Sequence, residues 1–93
     1  MKLLYTGRAR ADLETAFDWY ERQQSGLGQD LLDNIEIALQ QIASNPNAQP
    51  LYHDPIRGCL IRRFPFTLFY SIEAEGLIIH SVFHHRLDTR KRP

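Results

Sequence analysis

Residues 58–88 carry the pattern that most constrains this chain. Apolar and polar side chains there alternate with a period of two, and an Ala74-Glu75-Gly76 turn divides the alternation. That period sends successive side chains to opposite faces, so the segment is expected to be a β-meander with one half-buried face. Phe66, Leu68, Tyr70 and Ile72 take one side, and Thr67, Ser71 and Glu73 take the other, where Phe69 intrudes. The partner strand starts at Leu77 and ends at His84 or His85, followed at once by Arg86. Another strand is expected over residues 60–64, just before Pro65.

The part ahead of the meander is helical in period. Leu3 and Tyr5 suggest a short first strand, and Thr6 can cap a helix that begins near Gly7. Ala9, Leu13, Ala16, Phe17 and Tyr20 then fall on one stripe, which Ser25, Gly26 and Gly28 interrupt. A second helix is expected from about residue 27 to 44, with Leu31, Leu32, Ile35, Ala38, Leu39, Ile42 and Ala43 on a broader stripe. So short a link makes the two an antiparallel hairpin. Asn45-Pro46 ends the second helix, because the residue before a proline is pushed out of helical backbone. Residues 47–57 hold Pro50 and Pro55 without a clear period and read as a loop. The expected fold class is α+β: an N-terminal strand and an antiparallel helical hairpin packed on a C-terminal antiparallel β-meander, in a single domain over residues 1–93.

A chain of 93 residues supports one thin core. Its 43% hydrophobic and 24% charged residues are those of an ordinary soluble protein. No apolar run approaches the roughly 18 residues a membrane span needs, and the first residues lack a secretory core, so a cytoplasmic location without a membrane partner is the default expectation. Cys59 is the sole cysteine, which excludes an intramolecular disulfide. The zero net charge conceals unlike halves: residues 1–50 carry four basic and seven acidic groups, and residues 51–93 carry seven and four. A polarised molecule is expected, acidic on its helical side and basic on its sheet side.

Four groups of residues bear on chemistry or binding. On a strand, His80 and His84 stand about 13 Å apart, too far to share one zinc, and His84 and His85 point to opposite faces; no metal and no cofactor is expected. Phosphodiester chemistry is a second possibility, because histidine titrates near neutrality and arginine offers a planar fork to phosphate oxygens. His84, His85, Arg86, Arg62 and Arg63 could converge for it where strand ends lie side by side; a solvated strand edge accounts for the same residues. Arg86, Arg90, Lys91 and Arg92 could neutralise phosphates or pair with an acidic partner, or form a frayed basic tail. Trp19, Ile37 and Phe69, apolar where the pattern calls for polar residues, suggest a partner-binding surface.

Taken in order, these motifs resemble the RelE/ParE superfamily of toxins from type II toxin–antitoxin systems, above all its ParE-like branch. The family's opening is matched by Thr6, Ala9, Asp12, Leu13, Trp19 and Tyr20. Its later signature is similar to Ile61, Arg62, Arg63, Phe64, Pro65 and Phe66, followed by Leu68, Phe69 and Tyr70. Its terminal Val-x-His-x-Arg looks like Val82, His84 and Arg86. The chain departs at its end, where family members continue with a second arginine, Asp-Pro and a tryptophan and this sequence has Leu87, Asp88 and Thr89.

The resemblance implies a growth-inhibiting protein with a cognate ParD-like antitoxin, expected from the adjacent gene, and it makes Trp19, Ile37 and Phe69 the candidate antitoxin contacts. RelE-like members cut messenger RNA on the ribosome, whereas ParE-like members are associated with poisoning DNA gyrase. RelE-like nucleases use lysine clusters, and here lysine occurs only as Lys2 and Lys91, which favours the gyrase-directed reading. Arg62, Arg63, His85, Arg86, Arg90, Lys91 and Arg92 are then the candidate target-binding residues. If the target is instead ribosome-bound messenger RNA, His84 is the expected acid or base, with Arg63 and Arg86 on the phosphate. A non-toxic antitoxin-binding module is the third reading.

Overall fold

The computed structural model describes residues 2–85. In chain order the elements are β1 (Leu3–Tyr5), α1 (Gly7–Gln23), α2 (Leu27–Ser44), β2 (Leu51–His53), β3 (Ile56–Leu60), β4 (Phe66–Glu73) and β5 (Gly76–His84). The two helices pack on one five-stranded sheet of order β1-β5-β4-β3-β2. The four later strands form an antiparallel meander, and β1 lies parallel to β5, so the sheet is mixed. No helix among the described residues is long and apolar enough to cross a membrane.

The helical hairpin follows from local chemistry. Thr6 caps α1, its Oγ1 accepting from the Ala9 N–H at 3.1 Å. At the other end Glu21 reaches across the link, and its carboxylate accepts from the N–H groups of Gly26 and Gly28, both at 2.9 Å. Two orphan donors at the start of α2 are thereby satisfied from the neighbouring helix. The helices also approach closely there: a Cβ on Gly28 would lie 2.9 Å from the Phe17 ring and from Glu21 Oε1. Gly76 has a comparable role at the start of β5, where φ is +139° and a side chain would collide with the Lys2 carbonyl that accepts the Leu77 N–H.

The core lies between α2 and the sheet. Leu31, Ile35, Ala38, Leu39 and Ile42 face Leu68, Tyr70, Leu77, Ile79 and Val82, with Ala9 and Ala16 of α1 completing the cluster. Tyr70 is fully buried and donates its hydroxyl to the Pro46 carbonyl at 2.6 Å, tying the end of the hairpin to the sheet. Arg57 Nη1 donates to the carbonyls of Asn47 and Gln49 and straps the following loop to β3.

Two expectations are corrected, and packing bears on a third. Residues 47–57 are not wholly a loop: they hold β2 and the start of β3, with Pro50 and Pro55 bounding the strands rather than dissolving them. Residues 60–64 are not a strand, because β3 ends at Leu60 and the chain turns. Ile61 and Phe64 both fold back into the core from that turn, so the apolar spacing came from a turn rather than from a pleat. The third concerns Phe69, which is 3% exposed. It lies on the sheet face away from the helices, beneath Tyr52 at 5.0 Å and Phe83 at 6.0 Å between ring centroids. Phe69 therefore presents little of its own surface on that face.

Candidate functional site

The turn between β3 and β4 presents Arg62 and Arg63 to solvent while Ile61 and Phe64 anchor it from beneath. Arg63 has φ of +71°, a left-handed backbone that costs a non-glycine residue about 1–2 kcal/mol. Its guanidinium lies over the Phe64 ring, 5.9 Å from the centroid, within cation–π range. The turn closes through Ile61 N–H donating to the Phe66 carbonyl at 3.0 Å.

This turn is coupled to the end of β5. The His85 N–H donates to the Pro65 carbonyl at 2.9 Å, so the two arginines and the two histidines occupy one corner of the molecule. His84 is half-buried and sets its ring edge-on to Phe66, 4.9 Å between centroids and 87° between planes. His85 is exposed on the opposite face, with Nε2 2.7 Å from Thr67 Oγ1. The opposite orientation of the two rings is as the strand period implied.

An aromatic row runs from this corner to α1. Phe66 and Phe64 both meet Tyr20 edge-on, at 6.2 and 5.1 Å, and Tyr20 meets Trp19 at 4.9 Å. Trp19 is 42% exposed and sits at the far end of the row. Ile37 is 44% exposed on α2. Trp19 and Ile37 thus remain available on the helical layer, whereas Phe69 belongs to the other side of the sheet and does not join them.

Arg86, Arg90, Lys91 and Arg92 lie outside the described residues. With them goes the basic excess of the second half: residues 51–85 hold Arg57, Arg62 and Arg63 against Asp54, Glu73 and Glu75. Arg57 is engaged with the loop carbonyls, which leaves Arg62 and Arg63 as the exposed cations of the described sheet.

His80 lies apart from this corner. Its Nε2 is 2.8 Å from Ser71 Oγ, and burial pushes its pKa down from the usual histidine value, with Glu73 pulling the other way. Cys59 is buried in β3, and burial pushes its thiol pKa up, away from the thiolate a nucleophile needs.

One feature escaped the sequence reading. Leu51, Tyr52 and Leu60 are exposed, Leu60 at 69%, and with Pro50, Gly58, Thr67 and Phe69 they line a shallow groove of about 250 Å³ on the far face. The signal was the pair Leu51-Tyr52 between two prolines, which looked like loop only because the run is three residues long.

Comparison with known proteins matches the geometry. The solved structure described as the chromosomal ParDE TA system from P. aeruginosa superposes with a TM-score of 0.77 over 90% of this chain and 95% of that one, at 19% identity. At that identity the likeness establishes the fold. The comparison with curated proteins finds no match. The family model described as the ParE toxin of the type II toxin-antitoxin system, parDE, matches residues 3–89. With nearly the whole chain matched, this protein belongs to the ParE toxin family of type II toxin–antitoxin systems.

Proposed function

We propose that this toxin arrests growth by binding DNA gyrase and trapping it on cleaved DNA, with the corner formed by Arg62, Arg63, His84 and His85 as part of its contact surface. The observation that carries the reading is the His85–Pro65 hydrogen bond, which holds an exposed arginine turn against the strand end in a ParE-family chain. Two guanidinium groups on one short turn suit an acidic protein surface or a phosphate backbone. The histidines support binding rather than hydrolysis: His84 packs its ring against Phe66, and His85 is bonded to Thr67.

The partner that neutralises the toxin is a ParD-like antitoxin, which the ParDE likeness supports. Trp19 and Ile37 are its candidate contacts, because both are large, apolar and exposed on the helical layer. That layer carries most of the acidic groups of the first half, so a basic amphipathic antitoxin segment complements it.

The test is induction of the toxin in cells, with plasmid topology and growth followed together. The reading requires growth arrest accompanied by loss of supercoiling and by gyrase-linked DNA breaks, all reversed by co-expression of the antitoxin. Arrest with normal topology and cleaved messenger RNA would replace it with the ribonuclease reading.

A further inference from the structure

The outer edge of β5 changes partner along its length. Near its start, the Leu77 N–H donates to the Lys2 carbonyl at 2.8 Å and the Ile79 carbonyl accepts from the Thr6 N–H at 3.0 Å, so odd-numbered residues face the β1 side. β1 ends at Tyr5, and from there α1 takes over that edge. Thr6 Oγ1 donates to the His80 carbonyl at 3.0 Å, and the Val82 N–H donates to Asp12 Oδ2 at 3.0 Å.

The step from odd to even numbers between Ile79 and Val82 is a β-bulge. Tyr70 stands opposite Ile79 and Phe69 opposite Ser81, which leaves His80 as an additional residue in β5. An extra residue reverses which face every later side chain takes. Past the bulge Val82 enters the core, His84 meets Phe66 on the helix side, and His85 reaches Thr67 on the far side. Asp12 meets the Val82 N–H only in this bulged register, because without His80 the outward N–H would fall one residue away. Asp12 is buried, its side chain only 3% exposed, with Arg8 Nε 3.9 Å from Oδ2.

We propose that Asp12 is a positioning residue for the target-binding corner: by accepting the Val82 N–H beyond the bulge, it holds residues 82–85 in the register that divides His84 and His85 between the two faces of the sheet. Resting on the gyrase reading only for its functional readout, the inference gives the Asp of the opening motif a purpose that its place on a helix, some seventy residues from the corner in sequence, does not disclose.

Amide hydrogen exchange on the full chain, paired with a gyrase-poisoning assay, tests this. A buried N–H left without its acceptor costs enough to raise local opening about tenfold or more. Asp12→Ala should therefore speed exchange at the amides of residues 82–85 about tenfold, leave Leu77 and Ile79 within about twofold, and lower poisoning potency about tenfold. Asp12→Asn keeps a side-chain carbonyl acceptor and should stay within about threefold of the parent in both measurements. A uniform rise in exchange along β5, or a selectively loosened strand end with full potency, overturns the proposal. If Asp12→Ala does not fold, Asp12→Asn decides alone: protection retained at Val82 supports the role, and protection lost at Val82 with Leu77 unaffected contradicts an acceptor-based one. Should the parent protein fail to poison gyrase, the proposed target falls while the exchange pattern still decides the role of Asp12.

Discussion

The main-chain N–H of His85 lies 2.9 Å from the carbonyl oxygen of Pro65, and this one hydrogen bond fastens the last strand to the turn that carries Arg62 and Arg63. The contact involves backbone alone, so side chains at the corner can change without releasing it. Replacing both arginines by alanine is predicted to cut gyrase poisoning at least tenfold while leaving folding stability within about 0.5 kcal/mol, since exposed charges contribute little. Side-by-side cleavage assays and urea unfolding would check both halves; a large loss of stability would mean that the arginines are structural.

Arg63 offers a sharper contrast. Its left-handed backbone suits glycine better than any residue with a Cβ. Arg63→Gly is expected to be more stable than Arg63→Ala by about 1 kcal/mol, with both variants equally impaired in target binding. Urea midpoints of the two variants measure the difference, and equal midpoints would show that the turn relaxes.

How much of this was legible beforehand differs by element. Thr6 and the stripe from Ala9 to Tyr20 placed α1, and the apolar stripe through Leu31, Ile35 and Ile42 placed α2, because a buried helix face writes its period into the sequence. The β4–β5 hairpin was equally plain in its alternation. The β2–β3 hairpin was hidden, since Leu51–His53 is too short to show a period and Gly58 leaves a gap in the next strand. Phe69 misled for a physical reason: two-sided burial of a central strand needs aromatic cover on both faces, and Tyr52 and Phe83, distant in sequence, supply it. The corner was only half visible, since the motifs named Arg62, Arg63, His84 and His85 but nothing in them revealed that Asp12 bonds to Val82.

Gly28 tests the packing of the hairpin. An added Cβ would meet the Phe17 ring and Glu21 Oε1 at 2.9 Å, and moving Glu21 also disturbs the carboxylate that caps α2. Gly28→Ala is predicted to destabilise the fold by about 1–3 kcal/mol, measured by urea denaturation. An unchanged or raised midpoint would show that the helices separate at little cost.

Tyr70 tests the tie between hairpin and sheet. Tyr70→Phe removes the 2.6 Å hydrogen bond to the Pro46 carbonyl without creating much space, and should cost about 1–2 kcal/mol by thermal or urea unfolding.

His80 gives the fold a pH dependence. Burial holds its folded-state pKa below the unfolded value of 6.5, with Glu73 opposing in part. Below pH about 6.5 the unfolded chain takes up the proton more readily than the folded one, so stability is present above that pH and is lost as pH falls towards the folded pKa. His80→Gln should flatten the stability profile in that acidic window and leave the profile above neutrality parallel to the parent. A slope unchanged by the substitution would assign the dependence to other groups.

The proposed engagement of gyrase through the arginine turn held against the end of β5 is open to direct measurement. Its most direct measurement is the yield of cleaved DNA when purified gyrase and plasmid are incubated with the toxin, with the Arg62→Ala/Arg63→Ala variant and with toxin mixed with its antitoxin. Linear DNA is expected to accumulate with the parent protein, with at least a tenfold weaker effect for the variant and none in the presence of antitoxin. Gyrase activity and DNA cleavage unchanged by the parent toxin would contradict the proposal.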